Sequence, residues 1–399
     1  MSSESTARPP RTRKRVRLLA VALPLLVALL AAEGVLRLTR FASPIGLAYQ
    51  TDSIQGHRLR PGYRGWFRNE GEAFFTVNSD GMPDREFAKT KAPNTFRVAV
   101  IGDSFTEAPG IPRAHRYTTI LERALTGCAA LNGKAVEVLA FGASAYGPAH
   151  ELLEMRTHVW PYAPDVVLLQ LFLPNDLRGS VRELTGGGQA PYFVRGPAGW
   201  ELDSTSRRMS QRPELVRALE SQAYRWLRTL HVVQAARLSR RSMSLPAATD
   251  TTFGFEAGAD WQIFVPPPSA AWDQAWQTTE GLLGVMQAEA QQRGTRFMIA
   301  AFPSGIQVHP VIARREAFIA RLGSNARLDY PEQRLAEIGT RLGIPILDLA
   351  PRMRTHAEST RTILYGFPNA TLGLGHWNAD GHRFGGETIA HWMCASLPR

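Results

Sequence analysis

From Phe96 onward, short apolar runs alternate with longer stretches of helical period. Phe96 to Ile101 is mostly β-branched and ends at Gly102, so it reads as a strand. Tyr117 to Leu125 reads as a helix, Val136 to Ala140 as a second strand, and Ala149 to Val159 as a second helix. Val166 to Phe172 is continuously apolar, as a central parallel strand covered on both faces requires. The alternation resumes with a helix over Trp272 to Gln291, a strand over Arg296 to Phe302 and a helix over Pro331 to Leu342, which has proline at a starting position. A strand over Ile344 to Leu347 and a closing helix over His382 to Cys394 follow. This order predicts an α/β domain, a parallel sheet between two layers of helices, over residues 96–399.

The pattern weakens between residues 177 and 264, where only Glu214 to Leu230 suggests a helix. The stretch reads as an insertion over the C-terminal ends of the strands, where open α/β sheets place their ligands. Residues 41–95 are rich in Gly, Pro and Arg and look irregular. They predict a lead-in wrapped around the domain, with a turn at Asn78-Ser79-Asp80-Gly81.

Ahead of this lies an almost unbroken apolar run over residues 18–36, interrupted only by Glu33. At helical rise it comes close to the roughly 30 Å of a bilayer core. Residues 1–17 form a basic tail, which predicts a cytoplasmic N-terminus and a body in the periplasm or at the cell surface. A cleaved signal peptide is the alternative. The length of the run and the poor cleavage site at Ala31-Ala32-Glu33 favour an uncleaved anchor.

Charge changes this picture little. The 399 residues carry a formal +11, of which the tail supplies +5 from six basic side chains and one acid, leaving +6 for the rest. With 44% hydrophobic and 20% charged residues, the body is globular. No aromatic-basic motif of a nucleic-acid reader accompanies the charge, so nucleic acid is not an expected partner. The two cysteines, Cys128 after the first helix and Cys394 in the last, are too few for a disulfide scaffold. In a parallel α/β fold those two helices can share one face of the sheet. The cysteines are therefore expected close enough to bridge, with two buried thiols as the alternative.

The candidate chemistry lies at strand ends. Gly102-Asp103-Ser104 follows the first strand, so the Ser104 hydroxyl can be exposed at the sheet edge and the N–H groups of the turn can face a developing oxyanion. Gly142 follows the second strand and allows close backbone approach. Asn175, beside Asp176, follows the third and can donate a side-chain N–H. An imidazole is the natural base for a serine at neutral pH. His376, in the loop before the last helix, is the candidate; His382, at the start of that helix, is expected to pack or cap. Nothing in the spacing suggests a metal or a cofactor.

Gly102-Asp103-Ser104, Gly142, Asn175-Asp176 and His376 together resemble the Ser, Gly, Asn and His blocks of the SGNH (GDSL-like) hydrolase superfamily, in the same chain order. The resemblance covers residues 50–399 and is closest to membrane-anchored bacterial members with a His-Trp-Asn-x-x-Gly-His ending. It implies a flavodoxin-like three-layer α/β/α fold and metal-free ester hydrolysis or acyl transfer through an acyl-serine. Ser104 and His376 would be catalytic, with Ser104, Gly142 and Asn175 as the oxyanion hole and Asp103 and Asp176 in support. The expected substrate is acylated envelope carbohydrate or another ester. The chain departs from the family where an aspartate usually stands two or three residues before the histidine, because Gly373 and Leu374 occupy those places. Asp380 comes after the histidine, so the sequence suggests a Ser–His dyad, or one oriented by a backbone carbonyl or by Asn369. This gap motivates a second reading, a catalytically weak glycan-binding or assembly protein on the same fold.

Overall fold

The computed structural model describes residues 11–39, 48–186, 190–197, 199–203, 230–244 and 260–397. The helix expected over residues 214–230 lies almost wholly outside them, as does the start of the basic tail. Helix α1 (Arg11–Thr39) carries the apolar run. Its segment Leu19–Leu38 has a mean hydropathy of 2.4, has none of its apolar window buried, and is long and apolar enough to cross a membrane.

The lead-in is more ordered than its composition suggests. Strands β1 (Tyr49–Asp52) and β2 (Gly56–Leu59) form one antiparallel hairpin, and β3 (Arg64–Phe67) and β4 (Ala73–Thr76) form another. Strands of four residues are too short for an alternating pattern to stand out from a Gly- and Arg-rich background. The expected turn at Asn78 is present, with the Asn78 side-chain oxygen accepting from the N–H groups of Asp80 and Met82.

The domain then alternates as expected: β5 (Thr95–Gly102), α2 (Ser104–Glu107), α3 (Tyr117–Leu125), β6 (Ala135–Gly142), α4 (Pro148–Glu154), β7 (Val166–Leu171) and α5 (Leu173–Gly179). One π turn, Met155–Val159, continues α4. The stretch expected as an insertion holds, among its described residues, α6 (Arg182–Thr185), a hairpin of β8 (Phe193–Gly196) with β9 (Gly199–Leu202), and α7 (His231–Ser244). Glu33, near the end of α1, accepts the His231 and Val232 N–H groups at the start of α7. The chain closes with α8 (Ala270–Gln292), β10 (Arg296–Ala301), α9 (Ile312–Leu322), α10 (Tyr330–Leu342), β11 (Ile346–Asp348), α11 (Ala350–Thr360) and α12 (Ala379–Ser396). Helices α9 and α11 bury few side chains, chiefly Phe318 in one and Met353 and Ala357 in the other.

The main sheet runs β11-β10-β7-β5-β6, all parallel, with helices on both faces. This is the three-layer α/β arrangement expected, in the flavodoxin-like strand order. Along β5 the faces alternate. Val98 and Val100 pack with Leu121, Ile389 and Met393, while Ala99 and Ile101 pack with Leu152, Leu282 and Ile338. Strand β7 buries Val166, Val167, Leu168, Leu169 and Leu171 almost completely. Each such side chain contributes about 1.5–3 kcal/mol, which makes the centre of the sheet a rigid base for the loops above it. Cys128, just past α3, and Cys394, in α12, form a disulfide with Cα atoms 5.7 Å apart, tying together two helices of one face.

The chain leaves β5 toward β6 on one side and returns to β7 on the other, so a crevice opens beyond the C-terminal ends of β5 and β7. That reversal point is where such sheets bind ligands, and Ser104 follows β5 as Asn175 follows β7.

Candidate active site

Ser104 opens the short helix α2, and the fully buried Asp103 caps that helix. The Asp103 carboxylate accepts from the Phe105 N–H at 2.9 Å and from the Asn175 side-chain nitrogen at 3.1 Å, while its own N–H donates to the Gln170 side chain at 3.1 Å. Burial pushes the Asp103 carboxyl above the usual range, against the pull of its Phe105 and Asn175 hydrogen bonds. One aspartate thus links the Ser104 turn to the turn after β7. The Asn175 amide nitrogen carries two hydrogens, of which Asp103 takes one. Asp176, also fully buried, accepts the Phe172 N–H at 2.6 Å and so shapes the start of α5. Burial raises the Asp176 carboxyl strongly, and the nearby Glu151 and Asp103 carboxylates raise it further.

Gly142 is needed for space. A β-carbon there would lie 2.6 Å from Thr106 Cβ and 2.9 Å from the Asp103 carbonyl oxygen, so only glycine lets the end of β6 close on α2. The turn after it is held by Glu107, a buried carboxylate that accepts from the Ser144 N–H at 2.6 Å, the Ser144 hydroxyl at 2.7 Å and the Tyr49 hydroxyl at 2.7 Å. Ala145, the next residue, has φ of 65° and is exposed beside the site.

His376 reaches Ser104 from the other end of the chain, with Nε2 2.7 Å from Ser104 Oγ. Its backbone is fixed on both sides. The His376 carbonyl accepts the Gly366 N–H at 2.9 Å, and the neighbouring Trp377 is fully buried, stacked on Phe302 with ring centroids 4.0 Å apart. The Phe105 ring lies 4.9 Å from the imidazole, centroid to centroid. His382 plays a different part. Its Nδ1 accepts the Tyr117 N–H at the start of α3 at 3.1 Å, and burial pulls its pKa down to about 3, so it is a neutral helix cap.

The expectation of a missing acid is overturned. His376 Nδ1 is hydrogen-bonded to the Glu70 carboxylate, at the tip of the β3–β4 hairpin in the lead-in. Neither a loop carbonyl nor Asn369 takes that place. Asn369 clasps the hairpin instead: its side-chain oxygen accepts the Gly71 N–H at 2.9 Å, and its nitrogen donates to the carbonyls of Gly71 at 2.9 Å and Arg68 at 3.2 Å. Asp380 pairs with Arg383 at 2.8 Å in the first turn of α12. Two glycines admit the tip. A β-carbon on Gly110 would meet the Glu70 carbonyl oxygen at 1.7 Å, and one on Gly375, whose φ is 80°, would meet Glu70 Oε1 at 2.6 Å. The available signal in the sequence was an acid beside glycine, Asn69-Glu70-Gly71, between the aromatic pairs Trp66-Phe67 and Phe74-Phe75.

Fold and site together define a three-layer α/β protein with a hydrogen-bonded Ser104–His376–Glu70 triad at the reversal point of its sheet. No family model matches the chain, and no curated protein matches it. Among solved structures, the chain is similar to an acetyl xylan esterase (TM-score 0.39, 12% identity, 76% of this chain and 100% of that one). It is also similar to a lipase/acylhydrolase from Enterococcus faecalis (TM-score 0.38, 12% identity, 76% and 97%). An acetyl-xylooligosaccharide esterase from Geobacillus is a third such structure (TM-score 0.36, 11% identity, 78% and 97%).

Proposed function

We propose that the chain is an extracytoplasmic serine esterase or O-acyltransferase that works through an acyl-serine on acylated envelope carbohydrate. The observation that carries the acyl-serine chemistry is the line from Glu70 through both nitrogens of His376 to the Ser104 hydroxyl. In this reading, Ser104 Oγ bonds to the acyl carbon as its proton passes to His376 Nε2. The oxyanion is received by the Ser104 and Gly142 N–H groups and the Asn175 amide, and Glu70 holds the imidazole tautomer and offsets the imidazolium charge. When the carbon–oxygen bond to the alcohol breaks, His376 returns the proton to the leaving oxygen. Water, or a sugar hydroxyl, then loses its proton to His376 Nε2 and attacks the acyl-serine, which releases Ser104 with its proton restored.

The rival reading, a weakly active glycan-binding or assembly protein, drew its motive from an absent acid, and Glu70 in that place favours turnover. The location outside the cytoplasm is supported by the basic residues ahead of the apolar run and by the Cys128–Cys394 disulfide, a bond suited to oxidising compartments. The test is to label the full chain in detergent with a fluorophosphonate and to screen it against short acyl esters and acetylated oligosaccharides. Labelling confined to Ser104, with turnover of an acylated glycan, is the expected result. A folded protein that neither labels nor turns over any ester would end the proposal.

A further inference from the structure

The β3–β4 hairpin that delivers Glu70 has two distinct faces. Gly65, Phe67, Ala73 and Phe75 point inward, with Ala73 and Phe75 at most 2% exposed. On the other face Trp66 and Phe74 are direct cross-strand partners, their rings edge to face with centroids 5.7 Å apart. Phe74 is 36% exposed, and Trp66 beside it is half-buried. The Arg68 guanidinium lies 4.8 Å from the Trp66 ring centroid, and its Nε donates to Glu72 at 2.9 Å. The result is an aromatic shelf bordered by a cation and a carboxylate, on the element that ends at the triad.

We propose that Trp66, Phe74, Arg68 and Glu72 form a subsite for the sugar rings that flank the acylated residue. This rests on the carbohydrate reading above and deepens it. A pyranose has one face of C–H groups and a rim of hydroxyls. The C–H face suits the electron-rich surface of an indole or phenyl ring, and the rim suits an Arg–carboxylate pair that both donates and accepts. Position argues for the same occupant. Trp66 precedes Glu70 by four residues, so the shelf lies within about 13 Å of chain from the triad acid, the reach of a short oligosaccharide. A shelf of two rings with a charged border is small for a protein partner, whose interfaces bury about 800 Å² on each side.

The test compares the ratio of kcat/KM on an acetylated oligosaccharide to kcat/KM on a short aryl ester, for the full chain and for Trp66→Ala, Phe74→Ala and Trp66→Tyr. The expected result is a drop of about tenfold in that ratio for each alanine variant, carried by KM, with Trp66→Tyr restoring most of it. Calorimetry with the unacylated oligosaccharide on Ser104→Ala should show binding that Trp66→Ala removes. An unchanged ratio in a protein that does use the acetylated oligosaccharide overturns the subsite and leaves the carbohydrate reading standing. Turnover of aryl esters with neither use nor binding of any oligosaccharide overturns both. A change in self-association on Trp66→Ala, with glycan kinetics unaltered, makes the face a protein interface and also overturns the subsite.

Discussion

Glu70 and His376 are 306 positions apart in the chain, and the carboxylate of one is hydrogen-bonded to the Nδ1 of the other. An acid at that place keeps Nδ1 protonated and leaves Nε2 free to take a proton from Ser104. Replacing the corresponding acid by an amide costs about 10⁴-fold in the serine-protease template, which is another fold. Glu70→Gln is therefore expected to lower kcat by about 10²–10⁴-fold. Asn369 grips the hairpin through Gly71 and Arg68 and not through the Glu70 side chain, so the thermal midpoint should stay near that of the parent protein. Steady-state kinetics with a thermal melt checks both halves, and an unaltered kcat would remove Glu70 from the reaction.

Gly375→Ala tests the same contact without touching the acid. The new β-carbon would crowd Glu70 Oε1, and the positive φ is itself unfavourable for alanine. Activity should fall toward that of Glu70→Gln, with a stability loss of about 1 kcal/mol. The double variant should be little worse than Glu70→Gln alone, because both changes break one interaction. Additive losses in kcat would show that Gly375 acts elsewhere.

Asn175→Ala should reduce the chemical rate by about 10²–10³-fold if the free amide hydrogen meets the oxyanion. The same change takes a hydrogen bond from the buried Asp103, so the loss of rate has to be read beside a circular dichroism spectrum and an unfolding curve. A folded variant with the parent rate would place the oxyanion elsewhere.

His382 gives the stability of the protein a pH dependence of known sign. Its folded pKa, about 3, lies below the ordinary value of 6.5. Between those values the unfolded chain binds the extra proton, so its contribution is complete above about pH 6.5 and is lost as the pH falls toward 3. In His382→Gln the amide oxygen can still accept the Tyr117 N–H, but this loss should vanish. Urea unfolding at pH 7.5 and pH 5 should show the parent losing more stability than the variant, by about 1.4 kcal/mol for each pH unit below 6.5. Equal losses would mean that His382 is not held neutral.

The local pattern determined most of the scaffold. A continuous apolar run such as Val166–Leu171 can only be satisfied by burial on both faces. Turns rich in Gly, Asp and Asn at strand ends assign Ser104, Gly142 and Asn175 to one edge of a parallel sheet by their chain positions alone. The candidate base was legible too, because His376 sits in the loop before the last helix and the Ser104, Gly142 and Asn175 turns give an imidazole there a partner, while His382 sits at a helix start where capping occupies it. The third member of the triad was not legible. An acid beside the histidine in sequence is a local signal, whereas Glu70 reaches His376 only after a hairpin of two four-residue strands has formed, Asn369 has clasped it, and Gly110 and Gly375 have left room for its tip. Those contacts join segments about 40 to 300 residues apart, and no periodicity or spacing encodes them. The same holds for the shelf of Trp66 and Phe74, whose pairing is set by strand register, whereas the approach of Cys128 to Cys394 followed from their places after the first helix and in the last. Sequence alone determined which chemistry the chain could attempt, and tertiary packing decided that His376 has an acid behind it.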